Sequence, residues 1–277
     1  MKERHTVRQT QQIIGDIRAH TQGTALWWLG NAGWAIKSEE VTLLIDPVIE
    51  LEDPDDPTRS EIGLSLVHQL PLRAGEFRDG EVDLCLVTHE HGDHLAPRTI
   101  PTLAACTHCR FITPLSCIRQ MQRLGVPGDR IIEAHHGRPI SYQHLTIEPL
   151  KALHGHEHGA VYAGANFEDC GYLVHGGRWT IFHPGDSVLL QEHLEMCSPD
   201  VFLVSISEHN LWVRNSALLA NLWKPRYVVP MHYDTYAEQL FWTKGDPEAV
   251  RAELGEDVRD HFVVLEQGKK LFLTRQD

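Results

Sequence analysis

The sequence has no apolar stretch long enough to span a bilayer and no dense cysteine framework, and it holds 25 lysines and arginines against 38 aspartates and glutamates. The first absence removes a membrane span. The second leaves Cys85, Cys106, Cys109, Cys117, Cys170 and Cys197 scattered, as expected of reduced thiols and not of a disulfide-stapled secreted fold. The deficit of positive charge, net −13, gives no electrostatic footprint for a polyphosphate backbone, so no nucleic-acid partner is expected. Residues 1–23 carry charges throughout and lack the apolar core of a signal peptide, which makes a cytoplasmic location the expectation. Repeats, low-complexity tracts and long linkers are also missing. The 277 residues, 42% of them hydrophobic, are therefore expected to fold as one domain, 1–277, with 1–23 as an N-terminal helical extension.

Histidine is what the chain has in excess, with 19 residues. Histidines often sit on surfaces or in cores without a metal, so their positions have to decide. Residues 5–20 are predicted to be helical. Apolar or alternating runs bounded by turn residues predict strands at 25–29, 34–37, 41–45, 84–87, 110–112, 145–150, 171–174, 179–182, 201–205, 227–229, 262–265 and 271–274. Helical patterns lie near 97–106, 115–124, 188–196, 215–223 and 246–254, and the acidic, proline-rich segment 50–59 is an exposed loop. The pattern implies an α/β fold of two packed sheets covered by helices. Asp46, His89 and His91, His154, Asp186 and His232 each fall just past the carboxyl end of a predicted strand. Ligand sites in layered α/β proteins gather in loops at one sheet edge, so this regularity points to a single shared site.

The central motif is Thr88-His89-Glu90-His91-Gly92-Asp93-His94. In extended backbone His89 and His91 point to the same side and can bind one ion. Gly92 permits a sharp turn, after which Asp93 and His94 can face a second ion. A polar loop in which Asp93 caps a helix is the bland alternative, but capping does not need four ligand-type residues in six positions.

This pattern, His-x-His-x-Asp-His followed by a histidine, then Gly185-Asp186-Ser187, then a late histidine, resembles the metallo-β-lactamase-fold hydrolases. The resemblance implies an αββα four-layer sandwich and two metal ions bridged by Asp186. His89, His91 and His154 would hold the first ion, and Asp93, His94 and His232 the second. Asp46 and His183 would support these ligands from behind. His156 and His158 follow His154 closely and compete with it; His154 is preferred because it lies nearest the strand end. Trp27-Trp28-Leu29-Gly30, the His183-to-Ser187 segment and Val228-Val229-Pro230-Met231-His232-Tyr233-Asp234 resemble the branch containing L-ascorbate-6-phosphate lactonase. The acidic 50–59 segment and His154 set the chain apart from that lactonase itself, which argues against ascorbate-6-phosphate as the substrate.

The implied activity is hydrolysis of a small-molecule lactone, ester or related bond by a metal-bridging hydroxide, with Asp93 and Asp186 as the catalytic carboxylates. Zinc is the expected metal, and manganese or iron also suits five imidazoles and two carboxylates. A phosphodiesterase or nuclease on the same dinuclear core is the alternative, disfavoured by the acidic charge. Redox chemistry is a further alternative; diiron members of the fold typically have glutamate where this chain has His91, and no flavin-binding domain follows. His156, Trp212, Arg214 and Tyr233 are the candidate substrate contacts. Cys106-Thr107-His108-Cys109, without a second pair, is taken as packing. The expected partner is a small molecule, with no membrane, and the sequence leaves a homo-oligomer open.

Overall fold

Ile13 and Ile17 are four residues apart, and burying both against the first sheet gives α1 (Ile14–Ala19) its apolar edge. In this computed structural model, which describes residues 6–156 and 160–274, the helix predicted over 5–20 is confined to those six residues. Ahead of it the chain is extended instead. The Arg8 N–H donates to Val67 O at 2.8 Å and the Gln69 N–H to Arg8 O at 2.8 Å, so strand-like pairing satisfies the backbone there.

β1 (Thr24–Gly30), β2 (Gly33–Ser38) and β3 (Val41–Ile45) are buried along their whole length, as continuous apolar runs should be when a sheet is covered on both faces. They form an antiparallel meander, and β4 (Leu84–Leu86), β5 (Arg110–Thr113) and β6 (Ile131–Glu133) continue the sheet in parallel. The parallel pairs require crossovers: residues 46–83 link β3 to β4, α2 (Thr99–Cys106) links β4 to β5, and α3 (Leu115–Arg123) links β5 to β6. The second sheet is built from β7 (Ile140–Tyr142), β8 (Leu145–Lys151), β9 (Cys170–Gly176) and β10 (Trp179–His183). After α4 (Gln191–Glu195) it gains β11 (Val201–Ser205), and after α5 (Trp212–Trp223) it gains β12 (Tyr227–Met231). The chain ends through α6 (Pro247–Ala252), α7 (Glu256–Arg259) and β13 (Lys270–Phe272), which returns to pair with β1. The two mixed sheets have the orders β13-β1-β2-β3-β4-β5-β6 and β12-β11-β10-β9-β8-β7.

Period-two alternation divides the first sheet between two cores. Leu26, Trp28, Ile36, Leu43 and Leu86 meet Ile147, Tyr172, Val174 and Ile181 of the second sheet, whereas Ala25, Trp27, Leu44, Cys85 and Phe111 pack under α1, α2 and α3. On the far side Trp223 of α5 lies edge-on to Phe202, with ring centroids 4.9 Å apart. The result is the expected helix–sheet–sheet–helix sandwich. The predicted strand at 262–265 is absent; Phe262 and Leu265 are buried, but only one bridge, Phe262 to Val228, joins this run to the sheet. Strands β6 and β7 were not anticipated because three-residue edge strands carry too little periodicity to register. The six cysteines are free thiols, and among the described residues no helix is long and apolar enough to cross a membrane.

Candidate metal centre

The parallel strands β3 and β4 end side by side and place Asp46 next to the Thr88-to-His94 loop. Both Asp46 oxygens are used there: Oδ1 accepts the Thr88 N–H at 2.8 Å, and Oδ2 accepts the Thr88 hydroxyl at 2.7 Å and the His94 Nδ1–H at 2.8 Å. Pinning Nδ1 in this way fixes the His94 tautomer and turns its Nε2 inward. His183 acts similarly from β10. Its Nε2–H donates to Ala32 O at 2.9 Å and its Nδ1 accepts the Gly185 N–H at 3.1 Å, so both nitrogens are committed to holding the loop that carries Asp186.

The structure brings His89, His91, Asp93, His94, His154, Asp186 and His232 together at one edge of the two sheets. The donor atoms of His89, His91 and His154 lie within 4.8 Å of one another, as do those of Asp93, His94, Asp186 and His232. His89 Nε2 is 3.1 Å from His91 Nδ1. Asp186 Oδ2 is 3.3 Å from both His94 Nε2 and His232 Nε2 and 3.6 Å from His154 Nε2, and Asp93 Oδ2 is 3.6 Å from His94 Nε2 and His232 Nε2. A tetrahedral shell with bonds of about 2.0–2.1 Å has neighbouring ligands about 3.3 Å apart, so these are the separations of atoms that share a cation. Hydrogen bonding gives a second, independent sign. His94 Nε2, His154 Nε2 and His232 Nε2 are buried without a hydrogen-bond partner, a cost of about 1–3 kcal/mol per group that a bound cation would relieve. The donor set therefore fits divalent metal ions.

The charges are mutually stabilised. Burial alone would raise the Asp186 carboxyl, but His232, His94 and His209 outweigh it and hold it well below the ordinary carboxylate range. Burial likewise pushes His94 down, yet Asp186, Asp93 and Asp46 prevail and raise it well above an ordinary imidazole. For His89 burial wins, reinforced by His94, and its imidazole is held well below the usual value.

Two residues that sequence reasoning missed complete the surroundings of Asp186. His209 Nε2–H donates to Asp186 Oδ2 at 2.7 Å, and Asn210 Nδ2 donates to Oδ1 at 3.1 Å. Asn210 also donates to the Ser207 hydroxyl at 3.0 Å, which lies 3.2 Å from His209 Nδ1, so a chain of bonds orients both side chains. The His209 contact is shorter than a ligand–ligand separation and is a hydrogen bond. His209 follows β11 as the other site histidines follow their strands, and that signal could have found it. The close approach depends on Gly155, where a Cβ would lie 1.6 Å from His209 O.

The candidate substrate contacts divide. His156 lines a cavity of about 420 Å³ above the cluster, together with His91, Asp93, His154, Asp186 and His209. Tyr233 does not line it; the ring is buried and stacked on Trp28 at 5.1 Å. Trp212 and Arg214 are corrected as well. The segment expected to be a loop is the start of α5, and both residues are exposed on that helix outside the cavity lining. The competing His158 lies outside the described residues.

A model of the beta-lactamase superfamily domain matches residues 25–232, from β1 to the last of the clustered histidines. The chain is 30% identical to a UPF0173 metal-dependent hydrolase of Pyrococcus furiosus over 251 residues, covering 89% of this chain and 98% of that one. The chain belongs to the metallo-β-lactamase superfamily and to its UPF0173 metal-dependent hydrolase family. Solved structures with the same fold include Igni18, a metallo hydrolase from Ignicoccus hospitalis, at 21% identity and a TM-score of 0.66 over 91% of this chain and 99% of that one. They also include an isothiocyanate hydrolase from Delia radicum gut bacteria, at 16% identity and 0.70 over 91% and 100%. Family membership makes the chain a metal-dependent hydrolase, and the clustered donors are where its metal can bind.

Proposed function

We propose that the protein hydrolyses a small-molecule lactone, ester or related bond at a dinuclear centre, for which His89, His91 and His154 would hold one ion, Asp93, His94 and His232 would hold the other, and Asp186, whose Oδ2 approaches histidines of both sets, would be available to the two. The observation that carries this reading is the set of buried, unpartnered imidazole nitrogens spaced as metal ligands around Asp186 Oδ2. Divalent cations in such a set supply an activated water near neutral pH and polarise the scissile bond. The chain's own residues do the rest. His209 and Asn210 hold the two oxygens of Asp186, and Asp46 holds His94. Asp93 belongs to the donor cluster and also borders the cavity, with Asn31 Nδ2 donating to its Oδ2 at 3.1 Å. That position suits Asp93 to take up a proton and pass it to the leaving group.

Five imidazoles favour zinc, and manganese or iron fits the same donors. The net charge of −13 supports a small-molecule partner over a nucleic acid. The test is elemental analysis of the purified protein together with turnover of a panel of lactones, esters and phosphodiesters. About two ions per chain with lactone or ester hydrolysis supports the reading. Turnover confined to phosphodiesters would replace it with the alternative chemistry on the same core.

A further inference from the structure

The cavity has a charged floor and an apolar wall. Its floor is the donor cluster, reached through His91, Asp93, His154 and Asp186. The wall is formed by Ile62, Leu64, Tyr162, Phe241 and Trp242, with the His156 ring between two of the aromatics. His156 is stacked on Tyr162 at 5.8 Å with 4° between the planes, and it is tilted against Phe241 at 5.2 Å. The wall has support behind it, since Ile62, Leu64 and Trp242 pack on the satellite core of Leu51, Leu66, Leu70 and Tyr236. Among the described lining residues there is no lysine or arginine. The cations of the two flanking segments are engaged elsewhere: Arg59 binds Glu52 at 2.7 Å and the Gly63 carbonyl, and Lys244 faces Glu208 at 4.0 Å.

We infer that the site takes an uncharged substrate carrying an aromatic or branched apolar group beside the scissile bond, and that it works poorly on phosphorylated or otherwise anionic substrates. This rests on the hydrolase reading and narrows it. With the scissile group on the floor, the substituent lies against the wall, where a phenyl or branched alkyl group exchanges water for Tyr162, Phe241 and Trp242. A phosphate in that place would leave water with no cationic side chain to receive it. It would also be drawn to the ions on the floor and hold the molecule in a reversed, unproductive pose. Such chemistry sets the chain apart from a lactonase for a sugar phosphate.

The test uses metal-loaded protein and matched substrates: methyl phenylacetate, the same ester with a para-phosphate on the ring, and methyl acetate, together with γ-phenyl-γ-butyrolactone and γ-butyrolactone. The expected result is that kcat/KM for the phenyl compounds exceeds that for their ring-free and phosphorylated counterparts by about ten- to hundredfold. Phe241→Ala should remove most of that preference. A phosphorylated ester turned over as well as its neutral parent, or a preference untouched by Phe241→Ala, overturns the inference. Calorimetric titration with phenylacetone, a neutral ketone with no scissile bond, separates the two levels. If no compound on the panel is hydrolysed, the lactone and ester reading fails. The apolar seat then stands only if Phe241→Ala weakens phenylacetone binding about tenfold or more, and unchanged binding overturns it.

Discussion

Replacing His154 by alanine tests the dinuclear assignment at the residue on which it turns. His154 Nε2 is buried without a hydrogen-bond partner, 3.6 Å from Asp186 Oδ2, and its Nδ1–H donates to Gly155 O at 2.7 Å, so the ring is already turned to offer Nε2 to the cluster. The ion proposed at His89, His91 and His154 would keep only two unshared protein ligands in the variant. Losing a partner that merely supports a ligand costs about 10–100-fold in metal affinity, and losing a direct ligand should cost at least that, about 1.4–2.8 kcal/mol. At a free metal concentration near 100 times the wild-type Kd, an ion bound only to the folded state adds about 2.7 kcal/mol of stability, so most of that increment should vanish with its site. Elemental analysis after gel filtration should give about one ion per chain in His154→Ala against two in the parent, and the rise in Tm on adding metal should shrink. His156→Ala is the control. That ring stands in the cavity wall, so metal content should stay at two while substrate affinity changes. Two tightly held ions in His154→Ala, or a metal-depleted His156→Ala, would refute the assignment.

Treatment with a chelator should abolish hydrolysis, and zinc or manganese should restore it; full activity in protein shown to be metal-free would remove the mechanism. His209→Ala, which frees Asp186 Oδ2, should lower kcat by about 10–100-fold while retaining most of the metal, and unchanged turnover would show that Asp186 needs no such anchor. Gly155→Ala should cost several kcal/mol in denaturant unfolding, about 3 or more, because its Cβ would overlap His209 O and the backbone must move; a cost below about 1 kcal/mol would show the loop to be pliable. His193, buried against Phe182 away from the metal centre, is held by burial down to about 4. Between about pH 6.5 and 4 the unfolded imidazole binds a proton that the folded one does not, so stability should fall with falling pH by up to about 3 kcal/mol. His193→Asn keeps an acceptor for the Leu190 N–H, which donates to Nδ1 at 3.2 Å, and should flatten that slope. A parent and variant with the same pH dependence would count against the assignment of this group.

The parts of the molecule legible in the sequence are those where one physical signal dominates. Val41–Ile45 and Val201–Ser205 are strands because continuous branched apolar runs suit a sheet covered on both faces, and their ends then locate Asp46 and the loop holding His209. The clustering of the candidate donor residues was legible for the same reason, since parallel neighbours end at one edge. Placement of Trp212, Arg214 and Tyr233 was not. It depends on where α5 begins and on which side of Met231 the chain turns, and a shift of one or two residues exchanges cavity for solvent or core. For His209 the sequence offers only its place after β11, with no motif beside it. Its role comes from packing beside Asp186, which Gly155 permits.

The site also shows why its loops needed a structure to be understood. Asp46 has φ +43° and His232 has φ +65°, the left-handed region that residues with a Cβ enter at a cost of about 1 kcal/mol or more. Glycine would relieve both positions, but it would also delete a carboxylate and an imidazole. Neighbouring backbone holds the strained conformation instead: the Asp46 N–H donates to Leu86 O at 2.9 Å, and the His232 N–H donates to Asn31 O at 2.9 Å. Asn31 itself has φ +48° and sends its side chain to Asp93. The β1–β2 turn thus fixes the late histidine through its backbone and the proposed proton carrier through its amide. Asp93 and His232, 139 positions apart in sequence, are set by one turn, and the strain at Asp46 and His232 is stable because two rigid sheets over-determine the loops between them.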